Sequence, residues 1–260
     1  MEKYVESCEK MARAAGDVLL DWEGRVSVRE KARADLVTEA DLASQKLIES
    51  LVAAEFPDHG FTGEEASSPI SNHGEAEFCW YVDPLDGTTN FVHRLPGWCV
   101  SIGLAHHDEM VAGCVFDPII QNCFTAARGA GAFLNGERIE VSKTENLTDA
   151  LVAISLPAGV DRRSQEFTAF VDLLERLQAF RRLGSAALNL CYVACGQLDG
   201  YWAGRVQPWD VAAGTLIVQE AGGTVTSASG EPFKPTNSSM LCAGSVQLHR
   251  AVLDCLREKP

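Results

Sequence analysis

No stretch of this 260-residue sequence is both apolar and long enough to span a bilayer, so no membrane-spanning helix is expected in it. The amino-terminal "MEKYVESCEKMARAAGDVLLDW" lacks the basic start, apolar block and small-residue cleavage site of a signal peptide, so a cytoplasmic protein is expected. Runs of Lys and Arg are missing too. With 36 acidic against 22 basic residues the formal charge is −14, and the positive field that a nucleic-acid backbone or an anionic membrane requires is not there. There is no Cys-x-x-Cys pair. Nine cysteines, an odd number, are scattered along the chain, with Cys191 and Cys195 four apart in a helical pattern. They read as reduced core residues rather than a disulfide framework or a metal knuckle. Repeats, low-complexity tracts and an evident linker are also absent.

What is present is a globular chain with 46% hydrophobic residues, enough for a sizeable core. Val5, Cys8, Ala12, Ala15, Leu19 and Trp22 recur at helical spacing, which predicts a helix over residues 3–22. A second helix begins near Thr38, where Asp41 three residues on makes a capping arrangement and Leu47, Ile48, Leu51 and Val52 supply the buried stripe. Between them "EGRVSVREKARADLV" reads as a strand followed by a mobile loop. "FCWYVD", "CVSIGLAHH" and "EMVAGCVFDP" read as strands, and Asn135-Gly136 as a hairpin turn. From Leu151 onward strands and helices alternate: a strand at "ALVAISL", a helix over 163–179, a strand at "AFRRLG", and helices at "SAALNLCYVACG" and "WDVAAGTLIVQEAGG". The expected organisation is an α+β half over residues 1–150 and an α/β half over 151–260, packed as one unit.

The stretch "WYVDPLDGTTNFVH", Trp80 to His93, carries the chemistry. A buried strand delivers Asp83 to a sheet edge, and Pro84 fixes φ and removes a donor. Asp83 and Asp86 can then turn to one side with the Leu85 carbonyl. Two carboxylates and a carbonyl are hard oxygen ligands suited to Mg²⁺. Gly87 allows close approach, and a helix opening at Thr88 offers backbone N–H groups to phosphate oxygens. The same tetrapeptide also makes an ordinary solvated turn. Three further segments have equally plain alternatives: Glu64 and Glu65 of "FTGEEAS" as a loop, Asp210 of "PWDVAAG" as an N-cap, and Asp41 as a first-turn carboxylate. His93, His106, His107 and the tryptophans read as surface or packing residues.

Together, "ADLVTEAD", "GEE", "WYVDPLDGTTNFVH", "GAGAFLNG", "GSAALNLCYVACG" and "PWDVAAGTLIVQEAGG" resemble, in order and spacing, the segments of the inositol monophosphatase family of Mg²⁺-dependent, lithium-sensitive phosphatases. The resemblance implies an α/β (α+β) fold, the layered αβαβα sandwich shared with fructose-1,6-bisphosphatase, often as a homodimer. It implies Glu64, Asp83 and the Leu85 carbonyl as ligands of a first Mg²⁺, with Asp83, Asp86 and Asp210 holding a second. A third, weaker ion would share Glu64, with Glu65 behind it, and Lys31 would sit in the mobile loop. Asp41 and Thr88 match the pair that orients and deprotonates the attacking water, with Glu65 beside them. Glu64, Leu85, Asp86, Gly87, Thr88, Asp210 and the turn Gly184, Ser185, Ala186 match substrate contacts. One departure concerns the substrate, a small phosphorylated metabolite. Where polyol-preferring members have a glutamate before the "WD" segment, this chain has Ala203. Inositol 1-phosphate is the default, with histidinol phosphate, sugar phosphates, glycerol phosphates and 3′-phosphonucleotides as rivals, and a noncatalytic binding protein as the reading from another class.

Overall fold

The computed structural model describes residues 1–32, 35–65, 76–107, 109–156, 159–234 and 236–257, with the side chains of residues 28, 30–32, 35 and 36 outside that description. Helix α1 (Glu2–Trp22) buries Cys8, Met11, Ala12, Ala15 and Leu19, the stripe its 3.6-residue periodicity dictates. Helix α2 (Glu39–Glu55) lies beside it. Its buried face is less apolar than the sequence suggests. Ile48 and Val52 are enclosed, Leu47 and Leu51 only partly, and Asp41, Ser44 and Gln45 fill the rest of the stripe.

The segment expected to be a strand and a mobile loop is instead a two-stranded antiparallel ribbon, β1 (Val28–Ala32) and β2 (Asp35–Thr38). Its dense charge conceals any two-residue alternation in the sequence, and the strands are defined by their backbone pairing. Arg33 and Ala34 lie outside the described residues.

Seven strands form the first large sheet, ordered β3 (Gly60–Gly63), β4 (Phe78–Asp86), β5 (Cys99–His106), β6 (Glu109–Asp117), β7 (Asn122–Ala127), β8 (Gly131–Leu134) and β9 (Glu137–Arg138). All its pairings are antiparallel except β3 with β4. The β8–β9 turn uses Asn135 and Gly136, both at positive φ, as the Asn-Gly cue demands. The second sheet has the order β11 (Ala179–Arg181), β10 (Leu151–Ser155), β12 (Gly200–Ala203), β14 (Met240–Ala243) and β13 (Thr224–Thr226), and mixes parallel with antiparallel pairs.

Three cores order the layers. One packs α1 and α2 on the outer face of the seven-stranded sheet. A second fills the space between the sheets with α5 (Ala186–Ala194) and α6 (Pro208–Glu220), which are apolar nearly all round because they face a sheet on either side. The third sets α4 (Gln165–Arg176) and α7 (Val246–Arg257) against the outer face of the five-stranded sheet. The result is the αβαβα sandwich. Helix α4 is shorter than the 163–179 expected. Ser164 caps its start, and Leu177 leaves it extended so that β11 can begin at Ala179. All nine cysteines are unbridged, eight of them buried.

At its carboxyl end β4 stops matching its neighbour. Asp83 pairs with Ser101 and Asp86 with Cys99, three steps on one strand against two on the other. Pro84, which has no N–H to donate, sits inside this bulge, and the bulge turns Asp83 and Asp86 toward the α5–α6 layer.

Candidate active site

Helix α2 contributes Asp41, whose two oxygens do different work. Oδ2 accepts from the Thr38 amide (2.9 Å) and the Thr38 hydroxyl (2.6 Å), closing the capping box. Oδ1 receives the Thr88 hydroxyl at 3.4 Å, and the same hydroxyl lies 3.1 Å from the Leu85 carbonyl. Helix capping and the Thr88 contact are therefore both properties of one carboxylate. Burial pushes the Asp41 carboxyl up to about 6, the Glu65 charge adds to the rise, and the bonds from Thr38 oppose it. Thr88 opens α3 (Thr88–Val92), and Gly87 before it adopts φ 96°, where any Cβ would meet the Gly97 carbonyl at 2.9 Å.

Asp83 accepts from the Leu85 amide at 3.0 Å and is 2% exposed. Its carboxyl is raised well above the usual range, first by burial and then by the charges of Glu64, Asp86 and Asp210. Two chain-distant carboxylates, Glu64 and Asp210, thus join the neighbouring Asp86 around Asp83. Asp86 is fastened by the start of α5. Its Oδ2 takes the Ser185 hydroxyl (2.5 Å) and the Ala187 amide (2.7 Å), and its Oδ1 the Ala186 amide (3.2 Å). Burial raises the Asp86 carboxyl, and these bonds pull the other way. With about two lone-pair positions per oxygen, Oδ2 is saturated and Oδ1 keeps one.

The Gly184–Ser185–Ala186 turn is thus brought to Asp86. The Ser185 hydroxyl also accepts from the Leu188 amide at 3.1 Å, and the residue is 2% exposed, so its donor is spent and its oxygen is shielded from a ligand. Asp210, where an N-cap was the plain alternative, is the third residue of α6. It returns Oδ2 to the amide of Gln207, the actual cap, at 2.8 Å. Glu64 continues the β3–β4 pairing, its amide bonded to the Val82 carbonyl at 3.2 Å. Lys31 lies on β1 by its backbone, and its side chain falls outside the described residues. Ala203 is completely enclosed between the sheets at the end of β12, where a carboxylate would have to be buried. Trp80, Trp98 and Trp202 are buried packing residues, and His93 is exposed.

Sequence reasoning missed the residues that hold this arrangement. Gln45 donates Nε2 to the Glu65 carbonyl (2.6 Å) and accepts the Glu65 amide on Oε1 (2.9 Å), setting the Glu64–Glu65 segment. A Cβ on Gly63 would come within 2.4 Å of that Oε1, so a side chain there would push the Gln45 amide off Glu65. Ser44 bonds the Pro84 carbonyl (3.0 Å), and Asn90 ties the carbonyls of Gly97 (2.7 Å) and Leu183 (2.8 Å) together. The available signal was three polar residues, at 41, 44 and 45, on what should be an apolar helix face. Gln45→Ala should strand the buried Glu65 amide and cost about 1–3 kcal/mol, read by thermal unfolding.

The raised carboxyls also fix the sign of a pH effect. Asp41, Asp83 and Asp86 hold protons more tightly folded than unfolded, so their contribution to stability is full below the unfolded value of about 3.9 and is lost as pH rises through the folded values, about 6 for Asp41. A cation needs the charged form and acts oppositely. The rise in Tm on replacing chelator with Mg²⁺ should be small at about pH 5 and grow through about pH 7, checked by melting curves across that range.

A cleft of about 240 Å³ opens between the β1–β2 ribbon and Glu64–Glu65, with Arg29 and Glu39 on its wall. A larger one, about 490 Å³, lies near residues 138–145, away from the carboxylates, so volume alone does not mark the chemistry.

A sequence model of the inositol monophosphatase family matches residues 1–259. Inositol monophosphatase 2 of Solanum lycopersicum is 42% identical, with 99% of each chain aligned. The crystal structure of the extragenic suppressor protein suhB from Bartonella henselae superposes with a TM-score of 0.92 at 34% identity, covering 99% of this chain and 100% of that one. An IMPase/NADP phosphatase solved with Mg²⁺ and phosphate superposes at 0.84 with 25% identity, covering 95% and 92%. The chain belongs to the inositol monophosphatase family, whose members are phosphoric monoester hydrolases.

Proposed function

We propose that the chain hydrolyses a small phosphomonoester with Mg²⁺, with inositol 1-phosphate as the default substrate. The observation that carries this is the charge on Asp83: burial beside Glu64, Asp86 and Asp210 is unfavourable unless cations enter. The donor set fits, since carboxylates and the Leu85 carbonyl are hard oxygens and Asp86 keeps a lone pair. Glu64, Asp83 and Leu85 would hold one ion, Asp83, Asp86 and Asp210 a second, and Glu64 would share a third. When bound, the ions would neutralise the cluster, acidify a water and stabilise charge on the departing oxygen.

The chain's own residues do the rest. Thr88 Oγ1, placed between the Leu85 carbonyl and Asp41 Oδ1, orients the attacking water and passes its proton toward Asp41. The Gly87–Thr88 backbone would hold a phosphate oxygen, with Glu65 adding to the rise that burial gives the Asp41 carboxyl and Lys31 at the ribbon. Gly184 and the backbone of Ser185 and Ala186 would meet the rest of the substrate. A homodimer, lithium sensitivity and a cytoplasmic location belong to the same reading, which sedimentation and Li⁺ titration would check. Among the described residues no helix is long and apolar enough to cross a membrane.

A phosphate-release screen over small phosphomonoesters, with Mg²⁺ and with excess chelator, tests the reading. Turnover in chelator would overturn it. Because Ala203 provides no hydroxyl acceptor and is enclosed, discrimination should be weak, with kcat/KM for inositol 1-phosphate and glycerol 2-phosphate within about 100-fold, a margin of about 2.7 kcal/mol. A wider gap would mean that another residue reads the polyol.

A further inference from the structure

Glu77, His106 and His107 gather at the other end of the seven-stranded sheet, where β4 begins and β5 ends. One ligand atom from each lies within 4.8 Å of the others. The register explains the meeting. Phe78 pairs with His106, so Glu77 and His107 are the next residues beyond that pair, and the His107 amide closes on the Glu77 carbonyl at 2.8 Å. His107 is held at φ 53°, a conformation uncommon for a residue other than glycine, in the turn to β6. His106 is fixed from below. Its ring stacks on Phe78 (4.6 Å), and Phe78 stacks on His59 (4.9 Å), whose Nδ1 accepts the Trp80 indole N–H at 3.1 Å. Its Nε2 points at Glu77 Oε1, 2.8 Å away. The His106 and His107 rings lie 4.4 Å apart.

We infer that Glu77, His106 and His107 form a second metal site, for a borderline divalent transition ion of the Zn²⁺ class, separate from the carboxylate cluster. Two imidazoles and one carboxylate are a three-ligand set that leaves a position for water. The donor chemistry separates the two sites, because Mg²⁺ takes oxygens while imidazole favours Zn²⁺, Ni²⁺ or Cu²⁺. Zinc–nitrogen and zinc–oxygen bonds are about 2.0–2.2 Å, so atoms already within 4.8 Å converge by side-chain rotation alone. The ion takes the place of the proton between His106 and Glu77 and clamps the β5–β6 turn to the start of β4.

The test titrates Zn²⁺ into the whole protein with Mg²⁺ in large excess to occupy the oxygen sites. Wild type should bind an additional equivalent, shift the ring ¹⁵N signals of His106 and His107, and gain melting temperature. Glu77→Gln and His107→Ala alter exposed side chains and should melt like wild type without Zn²⁺, yet bind it at least about tenfold more weakly. Equal Zn²⁺ binding in wild type and both variants, or histidine signals that do not move, would overturn the assignment. Should a variant melt lower without metal, the ring signals of wild type decide alone.

Discussion

Asp83→Asn should reduce turnover by at least about 10³-fold and, in excess chelator, raise the melting temperature. The two effects have one cause. The Asp83 carboxyl is 2% exposed and beside three other carboxylates, so its negative charge is held at a cost in the folded chain, as its raised pKa records. Asparagine keeps the Oδ1 that accepts the Leu85 amide while removing the charge. Relief of about 1 kcal/mol shifts Tm by about 2–4 °C in a domain of this size. The same neutralisation removes a ligand common to both proposed Mg²⁺ ions, and a charge lost at a metal site accounts for the rate term. Phosphate release with Mg²⁺ and melting in chelator measure the two arms. A variant that keeps its rate shows Asp83 to be structural, and one that melts lower without cations shows that the cluster is not strained by its charge.

The sequence announced the oxygen ligands because each sits at a punctuation mark. Pro84 and Gly87 bracket Asp83 and Asp86, Gly63 precedes Glu64, and Pro208 precedes Asp210. Glycine and proline limit backbone geometry, so their chemistry is readable without a fold. The residues that fasten those ligands carry no such mark. Gln45 and Ser44 look like ordinary polar helix residues until α2 packs against β4, and Ser185 looks like a substrate contact until Asp86 is found on its hydroxyl. Their partners are 20 to 99 residues away in sequence. Distance of that kind is fixed by tertiary packing.

The strands show the same division. β4, β5 and β6 are continuous apolar runs because both their faces are covered, and such runs are visible in a single sequence. β1 and β2 lie in a charged stretch of sequence that shows no such run. The two-step alternation of so short a ribbon is too weak a signal against Arg29, Glu30 and Lys31 in the sequence. Ala203 shows the opposite difficulty. Its place before the "WD" segment is legible, but only the packing of β12 between Ser155 and Met240 shows that its side chain faces the core between the sheets.

Asp41→Asn and Thr88→Ala should each lower kcat by about 10²- to 10⁴-fold while leaving Mg²⁺ binding nearly unchanged. Neither residue belongs to the proposed ligand set, and both touch the path a proton would take. Asp41 Oδ2 is occupied by Thr38, so only Oδ1, 3.4 Å from Thr88 Oγ1, remains to receive a proton. A carboxyl raised to about 6 by burial is matched to that task near neutral pH. Asparagine preserves an oxygen for the Thr38 amide, so α2 keeps its cap, but the group facing Thr88 becomes an N–H donor and can accept nothing. Alanine at 88 removes the hydroxyl and leaves α3 its backbone bond from Phe91 to Gly87. Calorimetric Mg²⁺ titration beside steady-state kinetics separates the possibilities. Loss of Mg²⁺ binding together with rate would make the pair part of the cation site. An unchanged rate in Asp41→Asn would reduce Asp41 to the third residue of a capping box, a role that asparagine preserves.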